Sequence, residues 1–327
     1  MPIAIGSQTI GGSGGLPAAS GSGQTLISSG AGSTYTARAL AASDVSGVGI
    51  TTGTYAARPA SPSVGDRYLV SSGARRGSLY QCLVAGSWSR AALDLGLGDT
   101  PSLIFDAEDL PPQDTGLLRA WRPVGAGQSF ELVTGSTPPT IIGSSLGGMP
   151  ALSFSSAVLR LAGPNLMKDA DKTIILEYSS LQTTGNNGML AIGDPTNTSG
   201  SFGVFGNFQA SLSTRAYLEY DSGSTGIYDS GTTVSAAAGI HSIAVSWEQA
   251  AAKARFYADG SPTATASQVP GSTRGVLATA SQITLGAGRC NATATGVFRL
   301  HSVILVPRRL SDAELSALHT LMAARFS

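Results

Sequence analysis

Residues Gly239–Pro262 read GIHSIAVSWEQAAAKARFYADGSP, and the pattern of this stretch decides the fold. Ile243, Val245 and Trp247 alternate with Ser242, Ala244 and Ser246. Successive side chains leave a pleated strand on opposite faces, so this period of two predicts a half-buried strand. The polar, alanine-rich stretch Glu248–Lys253 turns the chain into a second run, Ala254–Ala258, and Asp259-Gly260 supplies a tight turn before Pro262. Such a hairpin is expected within a sheet-on-sheet core.

Composition agrees with a β-rich chain. The 327 residues include 42 glycines, and only 12% of them are charged, which suits a chain with many turns better than a helical enzyme. The length accommodates a large core and one or two further units. Lys plus Arg equals Asp plus Glu, 20 against 20, so the chain as a whole lacks the positive field that nucleic acid or an anionic membrane surface would favour. Cys82 and Cys290 lie far apart without ligand-spaced partners and are expected to be reduced, buried thiols. The opening MPIAIGSQTIGGSGG has no basic region followed by an apolar run, and no stretch reaches membrane-spanning length, so neither a signal peptide nor membrane insertion is expected.

Three segments differ in texture. Residues 1–50 hold two charged side chains, Arg38 and Asp44, among Gly, Ser, Thr and Ala; brief strands here would need neighbours, or the stretch is a flexible linker. Residues 51–98 predict a small β-module with strands at Arg67–Val70, Ser78–Val84 and Trp88–Ala92, and Tyr68, Tyr80 and Trp88 as its miniature core. Its arginines Arg67, Arg75 and Arg76 are expected on solvated turns.

Residues 99–327 read as one large domain. Leu103 and Phe105, then Leu152 and Phe154, recur at every second position and supply inward rows. Asp106, Glu108 and Asp109 crowd three carboxylates into four positions, where turn capping is a simpler use than metal binding. Lys172–Tyr178, Met189–Ile192, Phe202–Phe208, Gln282–Leu285 and Phe298–Val306 are further strands. A glycine-associated bulge is expected in FGVFGNF to bring its phenylalanines to one face. The chain closes on SDAELSALHTLMAARF, in which Ser311 and Glu314 form a capping box and Leu315, Leu318, Met322 and Phe326 share one helical face.

The residues carry no catalytic constellation. Sugar-cleaving sandwiches need paired carboxylates on one strand face; Glu219 and Asp221 come nearest but have no third acidic neighbour, so no enzyme is expected. No zinc spacing and no phosphate loop occur, and His241, His301 and His319 are scattered. A sugar site needs an aromatic face beside hydrogen-bonding groups, because a pyranose offers an apolar face and a rim of hydroxyls. Asn207, Gln209, Arg215, Tyr217, Glu219, Tyr220, Asp221, Tyr228 and Asp229 provide such a set, although the tyrosines also suit a core and the polar groups a solvated face.

Several phrases carry a family resemblance. The hairpin, with His241, Trp247, Phe256, Tyr257, Asp259 and Gly260, resembles the central hairpin of laminin-G-like, concanavalin A-like jelly rolls. SLIFDAEDL, Trp121 and GMPALSF resemble the entry phrase of phage and bacterial jelly rolls, and the terminal helix resembles their ending. LPAASGSGQTLISSGAGSTYTARALAASDVSG resembles a phrase of phage tail-fibre and spike proteins, and GDRYLV with GSLYQ and GSW resembles a collar insert of such proteins.

The resemblance implies an all-β chain: an extended N-terminal anchoring segment (1–50), a small β collar (51–98) and a two-sheet antiparallel jelly-roll sandwich with a short C-terminal helix (99–327). It also implies a homotrimeric fibre or spike on a virion surface, made in a bacterial cytoplasm without a signal peptide. The jelly roll would bind host surface polysaccharide and the N-terminal segment other virion proteins. No cofactor is expected, although the analogy allows calcium at Asp194, Asp221 or Asp229. A purely structural head or tail adaptor and a glycan depolymerase are the alternative readings.

Overall fold

The computed structural model describes residues 24–28, 35–39, 50–72, 75–93, 95, 97, 102–110, 116–124, 128–146, 148–162, 170–182, 187–193, 202–207, 215–220, 226–233, 239–251, 253–266, 282–290 and 295–325. Strands β1 (Gln24–Ser28) and β2 (Tyr35–Ala39) pair antiparallel. Strands β3 (Ile50–Thr54), β4 (Arg67–Ser72), β5 (Ser78–Val84) and β6 (Ser87–Leu93) form a sheet in that order, with β3 parallel to β4. Tyr68, Val70 and Tyr80 are its buried centre, and Tyr55 and Trp88 pack against them.

The remaining strands are β7 (Leu103–Asp106), β8 (Ala120–Trp121), β9 (Phe130–Leu132), β10 (Thr140–Leu146), β11 (Met149–Ser155), β12 (Leu159–Ala162), β13 (Lys172–Leu181) and β14 (Asn187–Gly193). They continue with β15 (Phe202–Asn207), β16 (Arg215–Tyr220), β17 (Gly226–Thr233), β18 (His241–Glu248), β19 (Lys253–Ala258), β20 (Ser261–Ala266), β21 (Gln282–Leu285) and β22 (Val297–Val306). Helix α1 (Asp312–Arg325) follows. One sheet runs β10-β11-β22-β13-β18-β19-β20, with β7 also pairing on β22; the other runs β17-β16-β15-β14-β21-β12-β9-β8. The fold is the expected all-β class, a two-sheet antiparallel sandwich closed by a short helix.

The two sheets meet over a continuous apolar layer. Ile243, Val245, Trp247 and Phe256 come from the hairpin side, and Leu159, Leu190, Phe202 and Ile283 face them. Trp247 meets the Phe202 ring edge-on at 5.6 Å, and Phe154 stacks on Phe298 at 4.8 Å. Burial of each such side chain stabilises by about 1.5–3 kcal/mol, so this layer decides the register of both sheets. Phe202 and Phe205 keep strict alternation: Phe202 joins this layer and Phe205 packs on the opposite side under Gly288. The ladder with β14 shifts twice: Gly206 is the extra residue of β15, a glycine-associated bulge that falls after Phe205 and not between Phe202 and Phe205, and Met189 of β14 is extra between Gly188 and Leu190.

Strand β18 is not half-buried. Ser242, Ala244 and Ser246 are each 4% exposed, because α1 covers the face that alternation turns away from the sandwich. Leu315, Leu318 and Met322 of α1 pack on Ile175, Ala244, Tyr257 and Ile304, forming a third layer. The capping box is present: Glu314 Oε2 accepts the Ser311 backbone N–H at 2.8 Å, and Ser311 Oγ accepts that of Glu314 at 3.3 Å. Asp259 and Gly260, with φ of 49° and 72°, turn β19 into β20. A methyl group on Gly260 would lie 2.7 Å from His319 Cβ, so the turn fits beneath α1 only without a side chain.

The helix ends on a buried cation that periodicity alone does not reveal. Arg325 is fully buried, and its Nη2 donates to Asp106 Oδ2 at 2.9 Å and Glu108 Oε2 at 3.0 Å. Its Nη1 donates to Ser78 Oγ at 3.0 Å and to the Arg76 carbonyl at 3.1 Å. Glu108 also accepts from Ser78 Oγ at 2.9 Å, from Arg75 Nη1 at 3.3 Å and from the Tyr80 hydroxyl. Asp106 caps the following turn through the Glu108 N–H at 2.8 Å, as the acidic cluster suggested, but both carboxylates also bind the terminal arginine. Arg75 is therefore a joint between module and sandwich and not a solvated turn residue.

Removing one member of a buried ion cluster leaves the others uncompensated. Arg325→Met is expected to destabilise the chain by about 3–5 kcal/mol, read as a shift of the urea midpoint; an unchanged midpoint would contradict the role given to this residue. A second outcome follows from Glu177, whose carboxyl burial pushes up to about 8, partly opposed by the 2.9 Å bond from Ser302 Oγ. Burial holds His301 down at about 4. Folded Glu177 keeps its proton where the unfolded chain has lost it, so its contribution is complete below about pH 4.5 and disappears as pH rises through 8. His301 has the opposite sign: its contribution is complete above 6.5 and is lost as pH falls through 4. Of these two groups only Glu177 acts between pH 6.5 and 8, so the melting temperature should fall across that window and Glu177→Gln should flatten the fall.

Candidate functional site

The outer face of the second sheet is where polar groups converge. Leu159 and Leu161 of β12 point into the core, so alternation puts Arg160 on the outer face. Ile283 and Leu285 do the same for Gln282 and Thr284 of β21. The segment Gly286–Cys290 folds back over this face and is fastened by one carbonyl. Cys290 O accepts from Gln282 Nε2 at 2.9 Å, Arg160 Nη2 at 3.4 Å and Thr284 Oγ1 at 3.5 Å. Gly288 lies flat on the Phe205 ring, where any side chain would collide with it.

Beside this cover lies a groove of about 420 Å³ lined by Gln128, Ser129, Glu131, Leu132, Val133, Thr134, Arg160 and Ala162. Arg160 stands directly opposite Glu131 in the ladder between β12 and β9. Its Nη2 is used on Cys290, while its Nε is buried without a hydrogen-bond partner among the described residues. A buried N–H left unpaired costs roughly 1–3 kcal/mol. The Glu131 carboxylate and Gln128 amide are exposed at the rim, and Leu132 and Ala162 supply apolar surface. The volume suits one or two sugar rings or another small polar ligand.

A larger cleft of about 660 Å³ separates β4 from α1, with Leu69, Val70, Leu95, Leu97, Ala317 and Leu321 in its walls. It belongs to the apolar seam between module and helix and has fewer convergent polar groups.

Sequence reasoning placed the sugar site further along the same sheet. The ladders set Tyr217 opposite Phe205 and Asp229, and Glu219 opposite Gly203, so Tyr217, Glu219 and Asp229 share the register rows of the outer face. Leu218 and Tyr228 fall in the row of Val204, and Tyr220 in the row of Phe202, both core positions. Arg215 opposes Thr233 across a register shift, and Asn207 opposes Asn187 at the end of β15. Gln209 and Asp221 lie outside the described residues, as does Asp194. The nine positions are thus not one set: backbone register joins three and separates two tyrosines from them. Among the described residues no group of three His, Cys, Asp or Glu side chains forms a metal cluster.

Arg160, Glu131 and Gln128 went unnoticed in the sequence. The available signal was a charged residue between two core leucines in LRL, which makes Arg160 an outward-facing charge on a strand otherwise committed to the core. Cys82 and Cys290 are both buried free thiols, as expected.

No protein-family model matches the chain, and no curated protein matches it in sequence. Solved structures with partial likeness include a Trypanosoma rangeli sialidase in complex with sialic acid, at 13% identity and a TM-score of 0.43, covering 66% of this chain and 32% of that one. The CBM40 of a Ruminococcus gnavus IT-sialidase is 17% identical with a TM-score of 0.37, covering 46% of this chain and 84% of that one. The botulinum neurotoxin type G receptor-binding domain is 10% identical with a TM-score of 0.43, covering 67% and 51%. The chain spans about a third of the length of the sialidase. At these scores the likenesses do not bear on what this chain binds.

The cover over the sheet makes its own test. Gly288→Val is expected to displace Phe205 or the covering segment and cost about 1–3 kcal/mol. Faster amide exchange at Gln282–Leu285 should accompany it; unchanged exchange would show that the segment is not held there.

Proposed function

We propose that the chain is a virion fibre or spike protein that attaches a phage or phage-like particle to host-cell surface polysaccharide through its sandwich domain. The observation that carries the binding step is the groove lined by the half-buried Arg160 together with amide, hydroxyl and carboxylate groups of Gln128, Ser129, Thr134 and Glu131. Such a rim matches the alternating donors and acceptors of saccharide hydroxyls. By register Tyr217, Glu219 and Asp229 belong to the same sheet, at its other end and beyond the strands that Gly286–Cys290 covers. The viral setting rests on the sequence phrases of residues 1–98, in which residues 1–50 anchor the chain to other virion proteins. Three copies would let weak sites act together, so avidity replaces single-site affinity. The site binds and does not cleave in this reading.

The adaptor alternative has one observation in its favour. Val64, Leu83 and Val84 are 66%, 61% and 68% exposed at one end of the small module, where Gly65 N–H bonds Cys82 O at 2.9 Å and brings the two loops together. That tip suits contact with another protein.

Binding to an array of bacterial surface polysaccharides distinguishes the two. Wild-type chain should bind a subset, and Arg160→Ala and Glu131→Ala should each weaken binding roughly tenfold, the scale of one or two hydrogen bonds, with Glu131→Ala leaving the melting temperature unchanged. Absence of binding to every polysaccharide of the host would overturn the attachment reading, and shortening of the bound polysaccharide would replace it with a depolymerase.

A further inference from the structure

The balanced charge of the whole chain conceals a local imbalance. Residues 51–98 contain five arginines, Arg58, Arg67, Arg75, Arg76 and Arg90, against two aspartates, Asp66 and Asp94, a net +3 that the rest of the chain offsets. Within this basic module one guanidinium occupies an unusual setting. Arg58 Cζ lies 4.3 Å from the Tyr55 ring centroid, 4.3 Å from that of Tyr80 and 5.9 Å from that of Trp88. The box is rigid: Trp88 Nε1 donates to Pro59 O at 2.8 Å, Tyr80 is tied to Glu108, and Arg75 stacks on Tyr55 at 3.9 Å while bonding Glu108.

Arg75 and Arg58 flank the same tyrosine but differ in what remains available. Arg75 has a carboxylate partner. Arg58 has only ring faces, and its guanidinium N–H groups donate to no acceptor among the described residues. Ring quadrupoles satisfy a cation's charge from above and below but leave its in-plane donors unused. Arg58 and Trp88 are each half-buried, so the donors stand beside a partly open indole, while the two guanidinium groups cover Tyr55. Packing alone does not require an arginine there, since a solvated charge needs no box and a core position needs no charge.

We propose that Arg58, boxed by Tyr55, Tyr80 and Trp88, is the anion-binding centre of a second ligand site on the small β-module, one that takes the carboxylate of an acidic saccharide. A planar guanidinium held in one orientation matches a carboxylate with two parallel hydrogen bonds. The half-buried Trp88 ring beside the guanidinium offers the apolar contact that a pyranose face accepts. The module's net positive charge draws an acidic chain to it. A nucleic acid would also meet stacking rings and a cation, but its tracking requires successive phosphate contacts, whereas Arg75 is already paired to Glu108. The choice of a saccharide rests on the attachment reading above; the anion site itself does not.

Isothermal titration of the full chain with tetramers of galacturonate, hyaluronan and α2,8-linked sialic acid, each as free acid and as methyl ester, tests the proposal. At least one acid should bind, with its ester roughly tenfold or more weaker because the charge-assisted pair is lost. Arg58→Gln should reduce the acid to the level of its ester at an unchanged melting temperature, and Arg58→Lys should restore part of the affinity. Arg160→Gln should leave this binding intact, which separates the module site from the sandwich groove whatever the polysaccharide array returns. Equal binding of acid and ester, no binding of any acid, or insensitivity to Arg58→Gln would overturn the site. Tighter binding of oligo(dT) than of every acidic saccharide would overturn the ligand class.

Discussion

One buried guanidinium ties the molecule together. Arg325 sits at the end of α1, and the carboxylates it binds, Asp106 and Glu108, close the first strand of the sandwich; the hydroxyl and carbonyl it also binds belong to the small module. Residues more than two hundred positions apart are held in one fully dehydrated cluster. A charge removed from water stays there only if its neighbours replace the water, and here the partners come in two pairs, one closing β7 and one in the small module. Helix, sandwich and module must all be in place for any of the three to be satisfied. Burial pushes the Glu108 carboxyl up while Arg325 and Arg75 pull it down, so its ionisation depends on the assembled joint.

That joint gives the covering helix a second purpose. Its apolar face buries the side of β18 that alternation would have left wet, and its last residue locks the module against the sandwich. The backbone repeats the connection, because the Arg75 N–H donates to the Arg325 carbonyl at 3.1 Å. The module therefore has a defined orientation relative to the sandwich, a requirement for any protein that must present two surfaces to one ligand or to two.

Elements with a strict period were legible in the sequence, and contacts between elements were not. The alternation of Ile243, Val245 and Trp247 and the Ser311–Glu314 cap both appear where the residues put them. Local rules, pleat and capping geometry, determine these features. The burial of Ser242 and Ser246 was illegible because it depends on where a helix seventy residues later comes to rest. Arg325 was unreadable for the same reason: a basic residue in a last helical turn ordinarily favours the helix dipole from solvent, and only its distant carboxylates draw it inside. The candidate site was half legible. A polar and aromatic composition pointed to the sheet that also carries the groove, but the groove depends on the pairing of β12 with β9, whose partners Arg160 and Glu131 lie twenty-nine positions apart.

The hairpin that identifies the fold contributes little to recognition. Trp247 and Phe256 are wholly inside the sandwich, and Tyr257 is buried against Asp312, its hydroxyl donating to that carboxylate at 2.6 Å. Any sandwich of this kind would need them whatever it bound. Chemistry is instead available where alternation places a charge outside an apolar row, as at Arg160, or where a charge is boxed without an acceptor, as at Arg58. Both positions are arginines whose surroundings supply packing but not a full set of hydrogen-bond partners. At Arg160 the buried Nε left without a partner is an arrangement that costs stability. Arg58 instead offers an incoming anion a cation fixed between two rings, and Arg160 lines an open groove, which is why these two positions, and not the most recognisable motif, are where binding is expected.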